Sequence, residues 1–273
     1  IFHLIGHIIG VMLIFANMRP DLKAFENLVQ IISELREQCP WDRKQTLESL
    51  RYLTIEETYE LSDAIIDHDL EEIKKELGDL IMHIVFYAQI GSETKAFNIA
   101  EVIESVNEKL IRRHPHIYGD VDVQDEEEVK RNWEKIKLAE GKKSVLEGVP
   151  KSLPAMVKAN RIQEKARGIG FDWDNKQQVW EKLHEELEEL KTELDNPDNH
   201  SKIEDEFGDV LFSMINYARF VDVNPEDALE RTNKKFIKRF QYLESKSEAL
   251  QRPLSEWSLE EMEAVWQESK SKV

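Results

Sequence analysis

An all-α fold of two tandem helical-bundle domains is what this sequence predicts, on three observations. The 273 residues hold only 10 Gly and 8 Pro, well under the roughly 12% of average usage, so turn formers are scarce. Apolar residues recur at helical spacing, and no stretch alternates apolar with polar residues as a strand would. The chain also repeats itself at an offset of about 130 residues. Trp41-Asp42 returns as Trp173-Asp174, and Glu56-Glu57-x-x-Glu60 as Glu185-Glu186-x-x-Glu189. Glu76-x-Gly78-Asp79 returns as Glu206-x-Gly208-Asp209, and Asn107-x-Lys109-x-x-x-Arg113 as Asn233-x-Lys235-x-x-x-Arg239. Trp133 returns as Trp266. The shared order and spacing mark a duplication. It divides the chain into an apolar extension (1–19), a first domain (20–140), a linker (141–154) and a second domain (155–273). The linker gathers several of the few Gly, Pro and Ser residues.

Each element has its local reason. Ile1 to Ala16 is apolar but shorter than the ~18–20 residues that span a bilayer. It contains His3 and His7 and follows no basic segment. It is expected to stand outside the functional unit, with Met18 a plausible start. Residues 24–37 put Phe25, Leu28, Ile31, Ile32 and Leu35 on one face, and Pro40 stops that helix. Helices follow over 47–66, 70–89 and 99–113, then one opened by Asp125. The second half repeats the scheme over 177–194, 201–220, 225–247 and 258–269. Asn224 before Pro225 is a helix start with Pro at the first helical position. Asp125-x-x-Glu128 and Ser258-x-x-Glu261 read as capping boxes.

Composition narrows the function. With 55 acids against 37 bases the net charge is −18. That argues against gripping a nucleic acid polymer, which needs clustered Lys and Arg. It leaves room for a phosphorylated small molecule carried by a metal ion. An apolar share of 41% beside 34% charged residues fits neither a disordered tail nor a membrane protein. The single Cys39 forbids an intramolecular disulfide and suits a reducing compartment, the cytoplasm. Lacking a repeated partner, it reads as structural.

The repeated acids carry the chemistry. Glu57 and Glu60 share a helix face and fall on an apolar line with Leu50, Leu53 and Ala64. Glu76 and Asp79 share a face flanked by Ile73, Leu77, Leu80, Ile84 and Val85. The second half repeats this with Glu186, Glu189, Glu206 and Asp209. Four inward carboxylates would repel unless neutralised. Oxygen-only donors favour a hard cation, Mg²⁺ or else Mn²⁺. A di-iron bundle would need Glu-x-x-His, and here the third position is Glu or Asp. His83 lies one turn beyond Asp79, but Ser213 stands at its repeat. Gly78 and Gly208 cost about 1 kcal/mol each in a helix interior relative to Ala, so they are expected to let two helix backbones approach. A lone acid run in such a chain is ordinarily a solvated face; repetition on apolar lines argues otherwise.

An EExxE helix followed by an ExxD helix in an acidic all-α chain resembles the MazG family of nucleoside triphosphate pyrophosphohydrolases. The resemblance covers nearly the whole chain after the apolar extension. CPWD (Cys39 to Asp42), RRHPH (Arg112 to His116) and GFDW (Gly170 to Trp173) are similar to tandem-domain bacterial members. It implies Mg²⁺-dependent hydrolysis of an NTP or dNTP between the α- and β-phosphates, giving the monophosphate and diphosphate. It implies a homodimer in which helices of two subunits build each bundle. Carried over, the metal ligands are Glu186, Glu189, Glu206 and Asp209, and in the first half Glu57, Glu60, Glu76 and Asp79. Glu185 and Glu56 match the leading Glu, as a further ligand or the base that activates water.

Lys235 with Arg239, and Lys109 with Arg113, are i, i+4 pairs and candidate phosphate clamps, against a reading as salt-bridge partners. Trp266 and Trp133 are placed either to stack on a nucleobase or to anchor the last helix of each half. Trp41 and Trp173 read as packing residues, against a reading in which they touch the base. The cleaner Lys235, Arg239 and Trp266 set favours the second half as the more active. The rival readings are a narrower enzyme, acting on dCTP or phosphoribosyl-ATP, and a non-catalytic acidic helical regulator. Neither a nucleic acid polymer nor a membrane is an expected partner.

Overall fold

The computed structural model describes residues 19–140, 144–195 and 199–272; the apolar extension lies outside them. All regular structure among the described residues is helical. In order the helices are α1 (Pro20–Gln38), α2 (Leu47–Ile66), α3 (Leu70–Glu93), α4 (Ile99–Arg113), α5 (Pro115–Tyr118) and α6 (Glu126–Ala139). They continue as α7 (Ala155–Arg167), α8 (Lys176–Leu194), α9 (His200–Phe220), α10 (Pro225–Ala249) and α11 (Leu259–Ser269). The expected all-α class therefore holds. No described helix is long and apolar enough to cross a membrane. α7 is an addition to the sequence reading, which left 155–167 unassigned.

Local chemistry sets the helix ends. Thr46 and Ser49 form a reciprocal capping box at α2, as do Asn98 and Glu101 at α4 and Ser258 and Glu261 at α11. Asp69 accepts from the Glu71 and Glu72 amides, both at 3.1 Å, to open α3. Asn175 and Asn224 open α8 and α10 in the same way. α1 ends at Gln38, two residues before Pro40.

By contacts the chain divides between Gly119 and Asp120. α6 thus falls with the second unit, whereas the sequence repeat grouped it with the first. The contacts part at Gly119, ahead of the stretch in which Gly, Pro and Ser gather. In the first unit α2 and α3 form a hairpin, and α1 lies against α3. Ile32, Leu50, Val85 and Phe86 are its buried core, with Phe25, Leu28, Val29, Leu53 and Met82 packed around them. In the second unit α8 and α9 form the matching hairpin, α7 lies against α9 and α10, and α11 lies against α10. Val179, Leu183, Ile215, Leu243 and Trp257 are buried there.

The glycine expectation is corrected. A Cβ built on Gly78 or Gly208 meets nothing within 4 Å, so neither serves a close helix approach among the described residues. Both lie on exposed faces, beside Leu77 and Ile81 in α3 and Phe207 and Leu211 in α9, which are exposed too. The buried side of α3 runs instead through Glu76, His83 and Phe86. Close approach occurs at Gly91, where a Cβ would meet the Phe97 ring at 2.7 Å. α4 leaves Val102, Ile103, Val106, Leu110 and Ile111 exposed.

Candidate metal centre

The α2–α3 hairpin gathers Glu57, Glu76 and Asp79, and the α8–α9 hairpin gathers Glu186, Glu206 and Asp209. In each set one carboxylate oxygen per residue lies within 4.8 Å of the others. The geometry follows from two i, i+3 and i, i+4 rules on facing helices: Glu57 leaves α2 toward α3, where Glu76 and Asp79 share a face. Glu76 is only 4% exposed and Glu186 6% exposed. Glu57, Asp79 and Glu206 are half-buried. Glu60, Glu189 and Asp209 are exposed, which corrects the expectation that all eight point inward. They sit on the outer edge of their two-helix pair, uncovered among the described residues.

The two clusters manage their charge differently. In the first, burial pushes Glu76 up to about 7, helped by the hydrogen bond it shares with Glu57 and by the charges of Glu60 and Glu57. Burial also raises Glu57, with Asp79, Glu60 and Glu56 adding to it against the Glu76 hydrogen bond. The Glu76 Oε2 atom is buried without a hydrogen-bond partner. In the second cluster Lys182 supplies a cation. Its Nζ lies 2.8 Å from Glu185 Oε1 and 2.8 Å from Glu186 Oε1. Those two carboxylates hold the lysine pKa well above its usual value. Burial and Glu186 raise Glu189, while Lys182 opposes them. The residue at the repeat position of Lys182 is Leu53. The sequence reading missed Lys182, although its i, i+3 and i, i+4 spacing to Glu185 and Glu186 was visible.

Glu56 is exposed, as is Glu185 beyond its contact with Lys182. The second-half clamp residues come together with the tryptophan. The Arg239 guanidinium lies 5.9 Å from the Trp266 ring centre, and Phe236 packs against that ring at 5.0 Å. Arg239 Nε is buried with no acceptor. Lys235 sits one turn before it on α10, exposed. Among the described residues no hydrogen bond or ion pair joins Lys235 or Arg239 to the carboxylates. The first half does not reproduce this set within one unit. Lys109 and Arg113 lie on α4 of the first unit, whereas Trp133 lies on α6 of the second, under the Lys137 ammonium at 4.7 Å. Trp41 and Trp173 are 56% and 43% exposed, so neither is the packing residue expected.

Comparison with known proteins identifies the family. A family model described as the MazG nucleotide pyrophosphohydrolase domain matches residues 45–118 and 174–243, one copy per carboxylate cluster. A nucleoside triphosphate pyrophosphohydrolase/pyrophosphatase MazG of Thermotoga maritima is 45% identical over 90% of this chain and 95% of its own length. A nucleoside triphosphate pyrophosphohydrolase of Escherichia coli is 37% identical over 91% of this chain and 98% of its own. An uncharacterized protein of Bacillus subtilis is 44% identical over 90% of this chain, which covers 51% of that relative. With two matched domain copies and relatives covered almost end to end, the chain belongs to the MazG family.

Proposed function

We propose that the protein hydrolyses nucleoside or deoxynucleoside triphosphates to the monophosphate and diphosphate, with Mg²⁺ bound at the repeated carboxylate clusters. The supporting observation is the convergence of three carboxylates within 4.8 Å at the same repeat position of both halves, in a chain of this family. The donor set fits the ion. Every donor is a carboxylate oxygen, the preference of hard divalent cations, and Glu76 carries a buried oxygen that lacks a partner.

Glu186, Glu206, Asp209 and Glu189 would hold the ion in the second half, and Glu57, Glu76, Asp79 and Glu60 in the first. When bound, it screens the carboxylates from the triphosphate and stabilises charge developing on the phosphoryl oxygens. The protein's own residues supply the rest. Glu185, or Glu56 in the first half, accepts the proton of the attacking water. Lys235 and Arg239 bind phosphate oxygens, with the Trp266 ring keeping the guanidinium in place. The exposed apolar faces of α3, α4 and α9 support a homodimer that covers them. We place the enzyme in the cytoplasm on its single cysteine.

The test is release of diphosphate from a panel of NTPs and dNTPs with Mg²⁺, repeated with EDTA. Diphosphate formed only with metal is the expected result; orthophosphate in its place overturns the cleavage site.

A further inference from the structure

The second unit contains a cavity of about 580 Å³ between α7, α9 and the segment that joins α7 to α8. Its wall is apolar and aromatic, with Ile162, Phe171, Trp173 and Phe212, but four polar side chains line it: Gln163, Asp172, Asn216 and Arg219. Gln163 is 7% exposed. Its Nε2 donates to the Phe212 carbonyl at 2.9 Å, while its Oε1 is buried with no partner. Asn216 Oδ1 accepts from Arg219 Nη2 at 2.8 Å, and its amide nitrogen takes part in no other hydrogen bond among the described residues. Arg219 is fixed by Asp172, with Nη1 donating to Oδ2 at 2.8 Å. The cavity therefore offers ring faces for stacking, an unused acceptor on Gln163 and unused donors on Asn216 and Arg219, whose Nε is buried with no partner.

Its place on α9 gives it a purpose. Phe212 and Asn216 stand one and two turns beyond Asp209, on the same side of the helix, so Asn216 is about 10 Å along the axis from the carboxylate cluster. A flat polar ring joined to its phosphates by a short spacer fits this spacing, entering the cavity while the phosphates lie at the cluster. The first half is closed at the matching place. Phe86 stands at the repeat position of Asn216 and is buried against Ile32 and Val85, and Gln89 replaces Arg219.

We propose that this cavity is a nucleobase site, in which the base lies against Phe171 and Trp173 and its edge pairs with Gln163 and Asn216. The second half thereby selects among bases, whereas in the first half the buried Phe86 fills the matching place. The inference rests on the nucleotide reading above. Hydrogen bonding to a base edge discriminates more strongly than apolar contact, because a wrong edge leaves the amides unpaired.

The test is saturation-transfer NMR on the full-length protein without metal. The probes are dAMP, dCMP, dGMP and dTMP, with 2-deoxyribose 5-phosphate as the base-less control. Base protons are expected to receive more saturation than sugar protons for at least one nucleotide. Asn216→Phe, which installs the first-half residue, is expected to cut that transfer about tenfold. Gln163→Leu keeps the cavity wall and is expected to flatten the differences between bases. Thermal melts show whether each variant folds. Transfer to base protons that persists unchanged in both folded variants overturns the proposal, as does wild-type transfer confined to the sugar. If base protons are saturated but no triphosphate yields diphosphate, the cavity stands and the proposed reaction falls.

Discussion

Lys182 lays its ammonium 2.8 Å from the Glu186 carboxylate, whereas the first-half residue at that repeat position is Leu53. The two clusters therefore solve one electrostatic problem in two ways. The second neutralises its buried glutamate with a lysine on the same helix. The first retains a proton on Glu76, which burial and Glu57 hold up at about 7. Lys182→Leu makes the second cluster like the first. It is expected to lower the stability of the metal-free protein by about 2 kcal/mol, the scale of a charge-assisted hydrogen bond to a buried group, and to enlarge the stabilisation given by added Mg²⁺. Thermal melts with and without the ion measure both effects. A variant whose melting temperature is unchanged in EDTA would show that the pair carries no stability.

The carboxylates should also separate the two halves by activity. Glu186→Gln with Glu189→Gln keeps size and removes charge, so it is expected to cost about 100-fold or more in diphosphate release. Glu57→Gln with Glu60→Gln is expected to cost less. The reason is the second-half assembly of Lys235, Arg239 and Trp266, for which the first half has no equivalent within one unit. Equal losses from the two double variants would show that both clusters turn over substrate at similar rates.

A pH dependence follows from Glu76. An unfolded glutamate loses its proton near 4.5, but Glu76 in the folded, metal-free protein keeps it up to about 7. Between those values the folded state binds more protons than the unfolded state, so stability falls as pH rises through the window. The EDTA-treated protein should melt lower at pH 8 than at pH 5. Glu76→Gln should flatten that slope, and Mg²⁺ should restore the pH 8 value. A rising melting temperature over the same range would mean that the cluster is not the group titrating.

The helices and the repeated acids were legible because both are written locally. The spacing of Leu50, Leu53, Glu57 and Ala64 fixes one face of α2 with no knowledge of the rest, and the duplication shows which acids are not incidental. What was not legible depends on non-local pairing. α7 escaped because only Met156, Val157 and Ile162 among its apolar residues are larger than alanine, and it is positioned by contacts to α9. The cavity joins Gln163 to Phe212 and Asp172 to Arg219, pairs 49 and 47 residues apart, and no sequence window holds both members. Gly78 misled for a related reason. A helix-interior glycine signals that something comes close, but not whether it belongs to the same chain.

Arg239 offers a test of the clamp. Its Nε is buried without an acceptor, and its guanidinium lies over Trp266. A phosphate oxygen would satisfy that donor. Arg239→Lys keeps the charge but loses the planar fork. It is expected to raise KM for a triphosphate about tenfold with less effect on kcat, while Trp266→Leu, by freeing the guanidinium, is expected to act in the same direction more weakly. A salt-bridge role would instead appear as lost thermal stability with KM unchanged.

Gly208 and Gly78 test the homodimer. Within one chain a Cβ at either site meets open space, so Gly208→Ala should cost the isolated subunit nothing and add about 1 kcal/mol through helix propensity. If a second copy covers these faces, as the neighbouring Phe207, Leu211, Leu77 and Ile81 suggest by their exposure, the same methyl group intrudes on the partner helix. Overpacking of a tight interface costs roughly 1–3 kcal/mol, about 5- to 150-fold in the dissociation constant. Sedimentation equilibrium of Gly208→Ala and Gly78→Ala is therefore expected to show a weaker dimer than the unaltered protein. A dimer of undiminished strength with a higher melting temperature would mean that no partner helix approaches these glycines.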